Sequence, residues 1–136
     1  MKKYLWIISL SLYLLAFILP VYSTTKGPAT FGQGIPMLAL GWIQAFTEKG
    51  LALAWFANPL FIIALCTTKK YPVTSVFFAA FAILTALCFL RGGVIYLPHD
   101  ATHFAYLTGI KIGYWTWLAS MVVVLVGAVL RWKGRN

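Results

Sequence analysis

The chain has 136 residues, of which 62% are apolar and 10% are charged. Soluble domains carry about 25% charged residues, so this composition indicates an integral membrane protein with room for one domain. It also excludes a disordered segment or a nucleic-acid-binding arm, although the formal net charge is +9. Lys and Arg number 11 against two acids, Glu48 and Asp100, and the distribution of these charges is more informative than their total.

Long charge-free runs divide the chain into four predicted membrane spans. Each run has about 19 to 22 residues, enough for a helix to cross a hydrocarbon core of about 30 Å. Backbone amides must be paired in lipid, and runs this long and uniformly apolar favour helices over barrel strands. We therefore predict an all-α fold, an integral membrane four-helix bundle with spans at about 4–22, 51–67, 73–90 and 113–130.

The basic residues orient this predicted bundle, because cytoplasmic segments next to spans are enriched in Lys and Arg. One side carries Lys2, Lys3, Lys69, Lys70, Arg131, Lys133 and Arg135. The other side carries Lys26, Lys49, Arg91 and Lys111 together with both acids. We therefore predict cytoplasmic termini, a cytoplasmic turn at 68–72 and external loops at 23–50 and 91–112. The basic side then faces anionic lipid headgroups.

The first segment also has features of a secretory signal: two lysines, an apolar run and a small-residue ending at 21–23. Its apolar run exceeds the roughly 7 to 15 residues of a signal core. We therefore expect it to be retained as the first span, with Pro20 at the outer end and Tyr22 at the interface.

Residues 35–46 show helical periodicity outside the predicted spans. Apolar side chains recur on one helix face at Ile35, Leu38, Ala39, Trp42, Ile43 and Phe46. About 12 residues are too few to span, so we predict a short interfacial or re-entrant helix on the external side. The alternative is an outward extension of the second span, although Glu48 to Gly50 is a natural place for a turn.

Asn58 and Pro59 lie near the middle of the second predicted span. Proline has no N–H, so the carbonyl of Trp55 loses its helical partner and a kink is expected. An amide is disfavoured against lipid, so Asn58 should face the bundle interior and bind a neighbouring helix or the freed backbone. This polar kink is a structural element or, in the alternative, the binding point of a small-molecule carrier.

Two lines of small side chains predict helix-packing faces. The line on the third span consists of Ser75, Ala79, Ala82 and Ala86. The line on the fourth span consists of Gly113, Thr116, Ser120 and Gly127. We expect these two spans to approach each other closely through their lines.

The side chains best suited to chemistry lie in the predicted external loops. They are Glu48, Arg91, His99, Asp100 and His103. The two histidines are four residues apart, which puts both imidazoles on one face of a helix and, with a carboxylate, predicts a candidate Zn²⁺ or Cu²⁺ site. In the alternative, Asp100 caps a short helix and the histidines face water. Arg91 is placed to bind a headgroup phosphate or to pair with an acid.

Residues 55–60 (WFANPL) and 113–120 (GYWTWLAS) resemble segments of uncharacterised small four-span bacterial membrane proteins. The resemblance covers the second and fourth predicted spans. It implies a bacterial plasma membrane, the inner membrane, and four spans, and it carries no activity, cofactor or catalytic residue.

These patterns favour a non-catalytic function. The predicted spans hold no ionisable acid, base or histidine away from their ends, whereas proton-coupled transporters place such groups at membrane depth. The sequence also lacks a nucleophile elbow, a phosphate loop and a zinc-peptidase motif. We predict an accessory, assembly or interaction subunit of a membrane complex, or an immunity protein against a membrane-active toxin. Its expected partner is another membrane protein or a second copy of itself.

Two alternatives remain open. The first is a metal- or lipid-binding protein, or a lipid-modifying enzyme, that uses the external cluster of Glu48, His99, Asp100 and His103. The second is a carrier built around Asn58 and Pro59.

Overall fold

The computed structural model describes residues 4–42, 53–91, 93–96 and 104–134. The helices are α1 (Leu5–Ile18), α2 (Gly34–Leu40), α3 (Ala57–Thr67), α4 (Pro72–Leu87) and α5 (Ile112–Lys133), and a 3₁₀ turn at Cys88–Arg91 extends α4. The strands are β1 (Tyr22–Thr24), β2 (Val94–Tyr96) and β3 (Phe104–Ile110). Most of the described residues are helical, which confirms the predicted all-α class.

Two of the described helices are long and apolar enough to cross a membrane. They are Pro72–Arg91, with 20 residues, and Ile112–Lys133, with 22 residues. Leu5–Ile18 and Leu53–Thr67 are also apolar but shorter. Four membrane spans therefore stay a prediction.

The first helix ends earlier than the sequence predicted. Helix α1 has 14 residues and stops at Ile18, and Leu19 is extended with ψ of 152°. The physical reason is Pro20, because the ring of a proline disfavours the helical conformation at the residue before it. Tyr22, predicted as the end of the span, instead lies in strand β1.

Three of the helices pack through small side chains and carry large apolar side chains on the outside. Six alanines have no exposed surface: Ala57, Ala64, Ala79, Ala82, Ala86 and Ala128. On α4 the side chains of Phe77, Phe81 and Leu84 are 56 to 62% exposed. A soluble helix would place polar side chains on its outer face, whereas the outer face of α4 carries these large apolar side chains.

Segments predicted as loops form a three-stranded antiparallel sheet in the order β1-β3-β2. Tyr22 pairs with Ile110, and a bulge between Ser23 and Thr24 shifts the register so that Thr24 pairs with Leu107. Val94 pairs with Tyr106 in the second ladder. The sheet joins the end of α1 to the start of α5, which the predicted loops 23–50 and 91–112 did not anticipate.

The predicted helix at 35–46 corresponds in part to α2. Helix α2 covers Gly34–Leu40, and residues 43–46 lie outside the described part of the chain. The chain turns back on α1 before α2 begins, since the N–H of Gly32 donates to the carbonyl of Ile18 at 2.7 Å. A Cβ at Gly34 would lie 2.6 Å from the Cα of Phe17, so only glycine allows this approach.

We expect Gly113→Ala to destabilise the fold by about 1 to 3 kcal/mol, the usual cost of overpacking. A Cβ at this position would lie 2.7 Å from the carbonyl oxygen of Pro20 and 2.9 Å from that of Leu19. This clash outweighs the higher helix propensity of alanine, which is worth about 1 kcal/mol. The measurement is the free energy of unfolding in detergent. Gly27→Ala is the control, because a Cβ there has no neighbour within 4 Å, and equal effects of the two substitutions would contradict the packing.

Candidate functional site: a buried amide and an aromatic cavity

The amide of Asn58 connects three helices in the interior of the bundle. Its Oδ1 accepts hydrogen bonds from the hydroxyl of Tyr13 on α1 and from Nε1 of Trp117 on α5, both at 3.0 Å. The side chain is 7% exposed. We refer to Asn58, Tyr13 and Trp117 as the amide network. One polar side chain on α3 thus determines where two other helices lie against it.

Pro59 explains why an asparagine occupies this position. A proline at 59 cannot donate to the carbonyl of Trp55, which is its i−4 residue. Nδ2 of Asn58 donates to that same carbonyl at 3.0 Å. The side chain therefore replaces the missing backbone donor while its oxygen binds the neighbouring helices, so the kink and the helix contacts depend on the same residue.

A cavity of about 70 Å³ lies beside Asn58, between α1, α2, α3 and α5. Its lining consists mainly of apolar side chains and glycines: Ala16, Phe17, Val21, Gly34, Met37, Leu38, Gly41, Ala54, Trp55, Asn58, Phe89, Gly113, Tyr114 and Trp117. The volume is several times the roughly 10 to 15 Å³ that a buried water needs. The residues before and after the sheet contribute to this aromatic cavity, so it lies at the sheet end of the bundle.

The aromatic walls of this cavity have their polar atoms engaged elsewhere. Nε1 of Trp55 donates to the carbonyl of Leu38 at 2.9 Å, and the hydroxyl of Tyr114 donates to the carbonyl of Ala86 at 3.0 Å. Across the described residues, every buried side-chain nitrogen and oxygen has a hydrogen-bond partner. The surface presented to the cavity is therefore apolar, apart from the amide of Asn58, whose nitrogen carries a second hydrogen.

Gln33 is a structural residue that the sequence did not single out. Its Oε1 accepts hydrogen bonds from the backbone N–H groups of Val21 and Tyr22, at 3.1 and 3.2 Å. These two donors lie where the chain leaves α1 for the sheet. An amide in a Gly- and Thr-rich segment gives no sequence signal of such a contact, because the partners are defined only by the fold.

The two lines of small residues are buried at most positions, and the α5 line faces α1 where its contacts are described. The hydroxyl of Ser75 donates to the carbonyl of Ala64 at 2.7 Å, so the α4 line meets α3 at this position. On α5, the carbonyl of Ser120 accepts from the hydroxyl of Ser9 at 2.7 Å, and Gly127 lies against Leu5. The line on α5 therefore faces α1. The predicted approach of α4 and α5 occurs at Ala86, but there α5 contributes Tyr114 and not a member of its own line. A small-residue pattern identifies a packing face but not the helix opposite it.

The remaining members of the two lines are buried or half-buried. Ala79, Ala82 and Ala86 have no exposed surface, and Gly113 is buried against the carbonyls of Leu19 and Pro20. Thr116 is half-buried, and its hydroxyl donates to the carbonyl of Ile112 in its own helix.

The external cluster falls mostly outside the described residues. Glu48, His99, Asp100 and His103 lie in segments 43–52 and 97–103, whose structure is not described. Arg91 is exposed at the end of the 3₁₀ turn. The zinc or copper site therefore stays a prediction, and the described residues that the structure brings together are those of the amide network and the aromatic cavity.

Comparison with protein-family models, curated proteins and solved structures found no match to this chain.

We expect Asn58→Leu to lower the free energy of unfolding by about 2 to 3 kcal/mol, because it leaves three buried groups without their partner. Tyr13→Phe removes one of these hydrogen bonds and should cost about 0.6 to 1 kcal/mol. Combining the two substitutions should cost less than the sum of the single effects, since both remove the same bond. The matched control is Thr85→Val, whose hydroxyl binds only carbonyls of its own helix. Strict additivity of Tyr13→Phe and Asn58→Leu would contradict the network.

Proposed function

We propose that this chain is a multi-pass protein of the bacterial plasma membrane, in which α1, the helix Leu53–Thr67, α4 and α5 all span the bilayer. The exposed apolar side chains support this proposal, because each of these helices carries several. Examples are Leu14 at 55%, Ile62 at 49%, Phe81 at 56% and Val126 at 46% exposure. Lipid is the environment in which such surfaces have no cost in free energy.

The distribution of charge supports an orientation with both termini in the cytoplasm. Nζ of Lys69, in the turn between α3 and α4, lies 5.0 Å from the ring centroid of Trp6 near the start of α1. Arg131, near the end of α5, lines a small pocket with Trp6 and Thr68. These residues meet at the end of the bundle opposite the sheet, where they would face anionic headgroups of the cytoplasmic leaflet.

Within the membrane, we propose that the protein acts as a non-catalytic accessory or interaction subunit of a larger complex. The hydroxyls of Ser9, Thr68 and Ser75 and the amide of Asn58 all take part in hydrogen bonds within or between helices. Polar groups of the described helices are thus used for internal packing, which is what a compact structural subunit requires.

The observation that carries this proposal is the outer face of α4. Val73, Phe77, Phe81 and Leu84 recur at helical spacing and are 42 to 62% exposed. This α4 face lies opposite the buried alanines of the same helix. Aromatic residues are enriched at protein interfaces, so the face is suited to pack against another membrane protein or a second copy of this chain.

Native mass spectrometry of the chain, extracted gently from its own host, tests this proposal. We expect the parent protein in a complex of fixed stoichiometry. Phe77→Ala combined with Phe81→Ala should weaken the complex about tenfold or more, since an interface hot spot contributes about 2 kcal/mol.

Ile62→Ala combined with Ile63→Ala is the matched control, because these two residues are exposed on α3 instead. A parent protein that is always isolated would contradict the accessory role. An equal loss of the complex in the two double variants would show that the α4 face is not the site of contact with the partner.

A further inference from the structure

We infer that the aromatic cavity binds the end of a phospholipid acyl chain. The inference rests on the membrane embedding proposed above, and it assigns a ligand to a site that the accessory role leaves unused. The cavity measures about 70 Å³ and is partly open to its surroundings. Its chemistry and its surroundings both point to hydrocarbon.

The chemistry of the walls excludes water as a good occupant. A buried water needs two to four polar partners, and apolar cavities of comparable or larger size stay dry. The indole and phenol donors of Trp55, Trp117 and Tyr114 are already bound to protein acceptors. Among the described side chains around the cavity, the second hydrogen of the Asn58 amide is the one donor that remains, so a polar solute would lose its hydration without replacement.

The surroundings of the cavity supply the ligand. Lining residues alternate in sequence with apolar residues on the outside of the bundle: Phe17 with Ile18, Ala54 with Leu53, and Trp55 with Phe56. These outer neighbours are 46 to 58% exposed. In a bilayer these outer residues contact lipid tails. Lipid tails are therefore the most concentrated apolar molecules next to the cavity. An acyl chain is also narrow enough to enter a space with several aromatic walls.

Hydrogen bonds to two tryptophans in its walls keep the cavity open. Nε1 of Trp55 is bound to Leu38 at the end of α2, and Trp117 is bound to Asn58. A Cβ on Gly41 would overlap the indole of Trp55. These fixed rings cannot collapse into the space without breaking hydrogen bonds, and filling it with hydrocarbon restores the missing van der Waals contacts.

Photo-crosslinking in vesicles tests the inference. The full chain is reconstituted in vesicles of phosphatidylethanolamine and phosphatidylglycerol that contain a phospholipid with a diazirine at the end of one acyl chain. After illumination, labelled residues are mapped by peptide mass spectrometry. We expect label on the cavity residues Phe17, Met37 and Trp55 as well as on Ile62 and Ile63, which are exposed on α3.

Two substitutions that fill the cavity distinguish labelling by lipid inside the cavity from background labelling. Ala54→Leu and, on α2, Met37→Trp should each lower the cavity label severalfold and leave the label on α3 unchanged. Ala39→Leu is the matched control, because Ala39 lies on the exposed side of α2 and does not line the cavity. If Ala54→Leu also loses the label on α3, the variant is misfolded and Met37→Trp decides.

The outcomes separate this inference from the proposed function. Label on α3 without label in the cavity, or cavity label that both filling variants leave unchanged, would overturn the lipid site while the membrane bundle stands. Absence of label from both places would instead overturn the membrane embedding itself.

Discussion

The hydrogen bonds of the Asn58 amide are the constraint on which the rest of this bundle depends. A proline at 59 removes one backbone donor, and Nδ2 of Asn58 replaces it at the carbonyl of Trp55. The same amide accepts from Tyr13 and Trp117 on two other helices. Because the side chain is almost fully buried, any helix that moved away would leave a polar group without a partner. Such a loss is costly in an apolar interior.

Around this amide the helices approach one another at positions where side chains are small. Tyr13 stacks on Phe61 with ring centroids 4.4 Å apart, which fills the centre of the bundle. Towards the sheet, Gly34 and Gly113 let the backbone pass close to the end of α1. Large rings then enclose the cavity instead of filling it. The site and the packing are therefore consequences of the same distribution of small and aromatic residues.

The sequence was sufficient to predict what depends on local pattern. Charge-free runs located α4 and α5 within one to three residues of their observed ends, since a change in composition marks where a helix leaves an apolar environment. The pairing of proline with asparagine was sufficient to predict an amide in the interior. Both inferences use interactions within a few residues along the chain.

What the sequence did not predict depends on contacts between distant segments. Tyr22 pairs with Ile110 across most of the chain, and a strand of three residues has no periodicity of its own to reveal it. The packing of the α5 line of small residues against α1 likewise depends on contacts between segments that are distant in the sequence. The early end of α1 is different, because its cause is local. Pro20 disfavours the helical conformation at Leu19, the residue before it.

The crossing of the membrane by the shorter helix Leu53–Thr67 is the central claim, and the sidedness of two single cysteines tests it most directly. The parent chain for this test has Cys66 and Cys88 replaced by alanine. Thr30→Cys introduces an exposed thiol between α1 and the helix Leu53–Thr67, and Gly134→Cys introduces one after α5. Three spans between them would place the thiols on opposite sides of the membrane. A membrane-impermeant maleimide should then label position 30 in intact spheroplasts and position 134 only after permeabilisation. Labelling of both positions from the same side would mean that Leu53–Thr67 does not cross the membrane, and would contradict the four-span bundle.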